Sequence, residues 1–291
     1  LLAFAGEILL GVGLAAIILI PSYLAVMQNN RVGSMKAGWG ALLYGKEQIY
    51  VNIIQSFFFP AEVTGIPIMV PDADVRWAST AGWLPIFSMA GVIGFMQSKK
   101  KHWLRNLLIV LMIMAMVPIL NSAFYAFNSA YYARWFYMPI LMMCLATAMG
   151  LEDPEVDWKR GFKWTAGITL LLVAVIGFFP AKITDGQVDG LGLFKKDSGG
   201  SHAYLIQFIV ICSVAVLSLV ALTFILPLRK KSEKLFTRAS ILAICAVTVG
   251  YGVFFLQTGK ASVKEVDNDF IPRLVEGKVD LPGNSLEWRP S

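Results

Sequence analysis

Residues 121–135 read Asn-Ser-Ala-Phe-Tyr-Ala-Phe-Asn-Ser-Ala-Tyr-Tyr-Ala-Arg-Trp and interrupt two apolar runs. Glycine, proline and aspartate, common in ordinary turns, are absent from it. Here aromatic rings, Asn121, Asn128 and the single cation Arg134 are gathered instead, a set that offers ring faces, amide hydrogen bonds and one fixed positive charge. Rings of this kind also settle at membrane interfaces, so the alternative is an aromatic belt with an arginine on lipid phosphate.

A second group of reactive residues lies in the long polar stretch 31–79. Its segment 62–76 is punctuated by Pro67 and Pro71 and carries Glu62, Asp72, Asp74 and Arg76. Proline fixes the local backbone, so these carboxylates are expected to be held in place. Asp72, Asp74 and Arg76 alternate, and in an extended chain they project to one side. Such a carboxylate pair could take a proton from a hydroxyl or hold a divalent cation through oxygen ligands. The alternative is a solvated acidic turn. Among the scattered Asp185, Asp189, Asp197 and His202, metal-ligand spacing is absent, and residues 182–202 read as a glycine-rich loop.

Composition dictates what must position these groups. The 291-residue chain is 57% apolar and 15% charged, against roughly 25% charged for a soluble protein. It reads as an all-α polytopic membrane bundle. Seven apolar segments, 2–27, 80–97, 104–120, 135–151, 164–180, 204–228 and 239–257, lie near the length of about 20 residues that crosses the hydrocarbon. Basic clusters at Lys99–Lys101 with Arg105, at Lys159, Arg160 and Lys163, and at Arg229–Lys231 with Lys234 and Arg238 fall on alternate connections. Cytoplasmic loops keep Lys and Arg. The first residue of this stretch is therefore expected in the cytoplasm, with 28–79, 121–134, 181–203 and the C-terminal tail outside. The net charge of +6 sits beside membrane spans, where it implies anionic headgroups and no nucleic-acid partner.

Cys144, Cys212 and Cys245 all fall within spans and read as small apolar packing residues. Glu7, a lone acid near one end of the first segment, can simply reach water. The chain opens at Leu1 inside an apolar run and stops in polar sequence, which reads as a fragment: a transmembrane bundle over 1–258 from a longer membrane domain, then the start of a truncated outer domain over 259–291. Between residues 42 and 59, Ile49, Tyr50, Ile53, Ile54 and Phe57 alternate with Gln48, Asn52, Gln55 and Ser56 at helical spacing. This predicts an amphipathic helix lying in the outer interface and ended by Pro60.

Two prolines bracket the central stretch. Pro118 denies the Met114 carbonyl its helical donor, and Pro139 does the same for Trp135. A continuous helix through 121–135 would align Asn121, Tyr125, Asn128, Tyr132 and Trp135 and turn Arg134 away. A break is expected, and irregular backbone at this depth is tolerated only where protein or a water-filled cavity surrounds it. No glycine-rich phosphate loop, paired-His zinc spacing or Gly-x-Ser-x-Gly elbow is present. No acid sits mid-span in a later segment, which argues against an ion-coupled transporter.

The Ile-Pro corner at Ile20-Pro21 followed by Arg31, the long outer loop, Pro118-Ile119-Leu120-Asn121-Ser122, and Tyr131-Tyr132-Ala133-Arg134-Trp135 resemble the YfhO-like bacterial membrane proteins. Members of that family show an Asn-Ser-x-Phe-Asn-Gly-Phe-Ser stretch running into Asn-Arg-Trp. Asn121, Ser122, Phe124, Phe127, Arg134 and Trp135 keep that order, while the glycine and the asparagine before arginine are not kept. The resemblance implies a glycosyltransferase of the GT-C class that moves a sugar from a polyprenyl-phosphate carrier to a cell-envelope polymer on the outer face. It also implies a catalytic acid in an outer loop, to which Asp72 or Asp74 would correspond only if that loop packs into the same cavity.

Under that resemblance Arg134 holds the carrier phosphate, with Arg31 and Arg76 as helpers. Tyr131, Tyr132 and Trp135 face the sugar ring, and Asn121 and Asn128 bond its hydroxyls. A non-catalytic module, a lipid-linked saccharide flippase or an envelope-assembly scaffold, would use the same arginine and rings without a carboxylate.

Overall fold

The computed structural model describes residues 2–27, 37–63, 68–70, 73, 80–125, 127, 131–178, 183–184, 187–188 and 203–265. Among them the architecture is a helical membrane bundle. α1 (Leu2–Met27) is a 26-residue helix; at 1.5 Å per residue it spans about 39 Å, enough to cross the hydrocarbon. It continues straight through Pro21, where a corner is expected from the sequence. Its apolar side chains point outward, Ile17 at 81% exposure, as befits a helix whose solvent is lipid.

The short α2 (Gln48–Gln55) follows a 3-10 turn at Gly38–Ala41. It is not the interfacial helix predicted for 42–59. Only eight residues are helical, and the polar side is turned inward: Asn52, Gln55 and Ser56 are buried while Val51 and Ile54 are exposed. Ile49, Ile53 and Phe57 are buried too, so α2 is a plug packed into the bundle, not a float on the surface.

The second predicted segment, 80–97, is not a helix of spanning length. Residues 80–84 are irregular, residues 85–89 form a turn, and only α3 (Ala90–Ser98) is helical. Nine residues reach about 14 Å, half of what the hydrocarbon requires. The turn is closed by the Phe87 N–H to Pro85 O at 2.7 Å and the Ser88 N–H to Leu84 O at 2.8 Å. It places Ile86 at φ 66° and Ser88 at φ 46°. Left-handed backbone costs a residue bearing a Cβ on the order of 1 kcal/mol or more, and a β-branched one most. Burial against Leu222, Ile225 and Phe236 holds it.

α4 (Trp103–Met116) starts at His102, whose Nδ1 accepts the Leu104 N–H at 3.2 Å. It stops where Val117 turns extended ahead of Pro118. Pro118 is thus the first residue of α5 (Pro118–Ser122), a position that needs no N–H. The expected break follows: a 3-10 turn at Ala123–Tyr125, irregular 131–133, and a second 3-10 turn at Arg134–Phe136 leading into α6 (Tyr137–Glu152). Pro139 falls in the first turn of α6, where it interrupts nothing.

α7 (Trp158–Phe178), the two-residue antiparallel pair β1 (Ile183–Thr184) and β2 (Gln187–Val188), α8 (Ala203–Lys231) and α9 (Glu233–Glu265) complete the order. Four helical stretches among the described residues, Arg134–Glu152, Trp158–Phe178, Leu205–Lys231 and Glu233–Lys260, are long and apolar enough to cross a membrane.

α3 lies in the crook of α6 and α7, and the approach is glycine-made. A Cβ on Gly161 would lie 2.2 Å from the Ala90 carbonyl oxygen, and one on Gly91 would meet Thr147 and Trp158 within 3 Å. Small residues let helix backbones touch where lipid provides no hydrophobic drive. At this end Lys99 Nζ joins Asp153 and Glu155 at 2.6 Å each, and Asp157 Oδ1 caps α7 through the Arg160 N–H at 3.0 Å. Two of the basic connections therefore meet at one end of the bundle, here called the basic end. The other end is built by α2, α5 and the Arg134 turn.

Candidate functional site at the aromatic end

The break at Val117 frees carbonyls at the end of α4, and a side chain takes one of them. Tyr44 donates its hydroxyl to Ala115 O at 2.9 Å, while its backbone N–H bonds Tyr50 Oη at 3.0 Å. Tyr44 meets Tyr50 and Tyr131 edge-on at 5.3 and 5.4 Å, the geometry their ring quadrupoles favour. Thr80 reaches the Tyr131 hydroxyl at 3.5 Å. Burial raises the pKa of both Tyr44 and Tyr131, so both hydroxyls stay protonated donors at neutral pH.

Beside this tyrosine cluster runs a ring stack. Phe124 lies flat on Trp135 at 4.6 Å, Trp135 meets Phe136 edge-on at 5.1 Å, and Phe136 stacks on Phe57 of the α2 exit at 5.8 Å. Gly82 is required under Phe57, because a Cβ there would sit 2.6 Å from the ring. The Gly82 N–H anchors the pair by bonding Ser56 O at 3.1 Å.

Polar atoms are sealed within the same layer. Asn52, Gln55, Asn121 and Trp135 are 2%, 3%, 1% and 2% exposed. Asn121 Oδ1 accepts the Tyr132 N–H at 3.3 Å across the break. Its Nδ2, Trp135 Nε1, Asn52 Oδ1 and Gln55 Oε1 have no hydrogen-bond partner among the described residues. Buried polar groups go unpaired only rarely, because each lost bond costs about 1–3 kcal/mol. Asn121 Nδ2 and Trp135 Nε1 are donors and the other two are acceptors, and all four are closed off from the surface.

Of the residues singled out from sequence, the structure brings Asn121, Tyr131, Tyr132, Arg134 and Trp135 to this end. Trp135 is a wall more than a platform, since Phe124 covers one face of its indole. Arg134 is exposed, with its guanidinium 5.8 Å from the Tyr132 ring centroid, and no carboxylate of the described residues is paired with it. Arg31, Asp72, Asp74, Arg76 and Asn128 lie outside the described residues, as does the stretch 266–291. No cluster of metal-ligating side chains occurs among the described residues.

Glu62, counted from sequence among the loop carboxylates held in place, was given no role there. Its Oε1 accepts the Met69 N–H at 2.6 Å, and Tyr251 of α9 donates to the adjacent Ala61 O at 2.6 Å. The residue keeps part of its surface, yet its carboxyl is enclosed. Burial pushes its pKa up to about 7, against the opposing pull of the Met69 and Ile68 N–H groups. The signal lay in its neighbours: it is the acid of this loop followed by the apolar run Ile66-Pro67-Ile68-Met69-Val70.

A carboxyl whose pKa is higher folded than unfolded favours the fold while both states hold the proton, and stability then falls as pH rises between the two values. Thermal stability in detergent is expected to drop from pH 4.5 to about 7 and then level off with respect to this group. Glu62→Gln should flatten that slope, and an unchanged slope would exclude Glu62 as its source.

Below the ring stack a cavity of about 310 Å³ opens between α3, α4 and α6, lined entirely by apolar residues from Met96 and Leu108 up to Phe57 and Pro139. The site is thus layered: exposed cation, polar and aromatic layer, apolar slot.

The family model of the bacterial membrane protein YfhO matches residues 1–270. The chain belongs to the YfhO family. No curated protein and no solved structure matches it. Membership agrees with the multi-pass helical architecture, and one hydrogen bond, from the Tyr132 N–H to Asn121 Oδ1, ties the two ends of the broken segment together.

Proposed function

We propose that this YfhO-family protein is a membrane glycosyltransferase that moves a sugar from a polyprenyl-phosphate carrier to a cell-envelope acceptor on the outer face of a bacterial inner membrane. The observation that carries the reading is the layering at the aromatic end, since a lipid-linked sugar phosphate has the same order of parts. Arg134 binds the phosphate, a charge-assisted contact that a guanidinium makes with two parallel bonds. The unpaired atoms of Asn121, Asn52 and Gln55 receive sugar hydroxyls, with Tyr131 and Tyr132 beside them. Arg31, Arg76 and Asn128 belong to the same proposal from sequence alone.

In the transfer, an acceptor hydroxyl oxygen attacks the anomeric carbon, the bond from that carbon to the phosphate oxygen breaks, and polyprenyl phosphate leaves. The hydroxyl proton passes to a loop carboxylate. Asp72 and Asp74 are the residues assigned to this step, and Glu62 is the third carboxyl of the same loop, with a pKa suited to accepting a proton near neutrality. A divalent cation held by Asp72 and Asp74 is compatible with the step.

The full protein in vesicles, given labelled polyprenyl-phosphate sugar and acceptor, tests the assignment through Asp72→Asn, Asp74→Asn and Glu62→Gln. At least one is expected to lower transfer about a hundredfold with the protein still folded, the range typical of a removed general base. Wild-type transfer in all three would remove the carboxylates from the mechanism. Tight binding of the carrier with no transfer by the wild type would favour the flippase or scaffold reading.

A further inference from the structure

We propose that the basic end carries a docking site for an anionic phospholipid with two linked phosphates, where the first turns of α7 meet the hairpin of α8 and α9. The site lies at the opposite end of the bundle from Arg134 and is independent of the glycosyltransferase reading. Three observations carry it.

First, the fold gathers the cations. Ser232 alone separates α8 from α9, and its Oγ accepts the Leu235 N–H at 3.4 Å. Leu228 and Phe236 on either side of that turn belong to one apolar cluster with Trp158 and Phe162 of α7. The third basic connection therefore joins the other two. Lys159, Arg160 and Lys163 stand next to Phe162, while Arg229, Lys230, Lys231, Lys234 and Arg238 bracket Phe236.

Second, these charges are unpaired. The nearby acids are engaged: Asp153 and Glu155 hold Lys99, and Asp157 caps α7. Glu152 and Glu233 are the acids that remain. Among the described residues none of the eight cations is in an ion pair, and all but the half-buried Arg229 are exposed. Orienting a span requires Lys and Arg at its flank. It does not require three helices to bring theirs together without matching acids.

Third, apolar surface lies beneath the cations. Leu217, Phe224 and Lys231 recur every seven residues, two helical turns, so on α8 a cation caps a stripe whose Leu217 and Phe224 are 62% and 72% exposed. On α9, Arg238 stands one turn from Leu242, and Val249 continues the stripe, at 70% and 65% exposure. The exposed Trp164 beside Lys163 is a ring of the kind that settles at headgroup depth. Charge above and hydrocarbon below fit a phospholipid, whereas a soluble polyanion would leave the stripes unused. Because the cations form two groups, on α7 and on the hairpin, a second phosphate tethered to the first binds at high effective concentration. Arg160, Arg229 and Arg238 supply the parallel N–H donors that phosphate oxygens accept.

The test acylates the lysines of the full protein in nanodiscs and reads each one by peptide mass spectrometry. The anionic lipid is cardiolipin or phosphatidylglycerol at equal total charge, and a third sample holds zwitterionic lipid with inorganic pyrophosphate. Cardiolipin is expected to slow acylation of Lys159, Lys163, Lys231 and Lys234 by about fivefold or more relative to phosphatidylglycerol. Lys100 and Lys101, exposed at the same end, should react equally in both. Lys159→Gln, Arg160→Gln and Lys163→Gln combined should return Lys231 and Lys234 to the phosphatidylglycerol rate, as one site shared by both groups requires. Lys100→Gln with Lys101→Gln should not. Arg160→Gln alone replaces the triple variant if that one fails to insert, and is expected to lose about half of the protection or more. Equal rates in cardiolipin and phosphatidylglycerol, equal protection by pyrophosphate, or hairpin protection that survives loss of the α7 cations overturns the proposal.

Discussion

Gly161→Ala is expected to remove most folded protein from the membrane. The added methyl would lie 2.2 Å from Ala90 O and 2.8 Å from Gly94 N, both backbone atoms of α3. A side chain can swing aside, but backbone moves only with its helix. Overpacking a core ordinarily costs about 1–3 kcal/mol, and this obstacle puts the loss at or above the top of that range. Gly167 on the same helix is the control, because nothing lies within 4 Å of a Cβ there and alanine is the better helix former by roughly 1 kcal/mol. Thermal unfolding in detergent should show Gly161→Ala strongly destabilised or aggregated and Gly167→Ala unchanged or slightly improved. Equal melting of the two variants would mean that α3 and α7 do not cross at Gly161.

The consequence of that crossing reaches the site. α3 supplies one wall of the slot, and its position is fixed by Gly91, Gly94 and Gly161 from one side. A variant that merely loosens the crossing should therefore disturb the slot before it disturbs the tyrosine cluster, which hangs on α4 through the bond from Tyr44 to Ala115.

Much of this was legible in the chain. Hydropathy located the four described stretches long and apolar enough to cross, whereas 104–120, read as a span, holds only the 14-residue α4; Pro118 marked the break before the central stretch. Position 21 shows the limit of that logic: α1 runs on through Pro21, because in hydrocarbon no water replaces the backbone bonds that unwinding would free. The segment 80–97 misled for a related reason. Its composition is as apolar as a spanning helix, and only tertiary burial of Leu84 to Met89 stabilises the turn that halves it. α2 misled in direction. Its amphipathic pattern was correct, yet the polar side faces inward, because a membrane protein can bury amides in a binding layer and leave Val51 and Ile54 outside.

At the site, Asn121, Arg134 and Trp135 stood out by residue type. Tyr44, Asn52, Gln55 and Phe57 did not, since their roles come from packing over sequence separations that no local pattern encodes. Glu62 was named with the loop carboxylates but the chemistry went to the Asp72 and Asp74 pair, whose alternation is visible in sequence, whereas enclosure of a carboxyl is not.

Arg134 carries the second large effect. As an exposed residue whose contact is the Tyr132 face, it contributes little to the fold, so its truncation should leave the melting temperature and membrane level unchanged. A hydrogen bond to a charged group is worth about 1.5–3 kcal/mol, the guanidinium would make two to the phosphate, and each 1.36 kcal/mol is tenfold. Transfer by Arg134→Ala should therefore fall by about thirtyfold or more. Arg134→Lys should recover part of it, because an ammonium keeps the charge but loses the two parallel bonds to phosphate.

The most direct test is the transfer of labelled sugar from polyprenyl phosphate to envelope polymer by the full protein at matched membrane levels, comparing wild type, Arg134→Ala and Arg134→Lys. The layered-site account predicts that transfer ranks wild type, then lysine, then alanine near background, with all three equally folded. Equal transfer by wild type and Arg134→Ala would contradict it, and would return the arginine to the lipid interface and the rings around it to an aromatic belt.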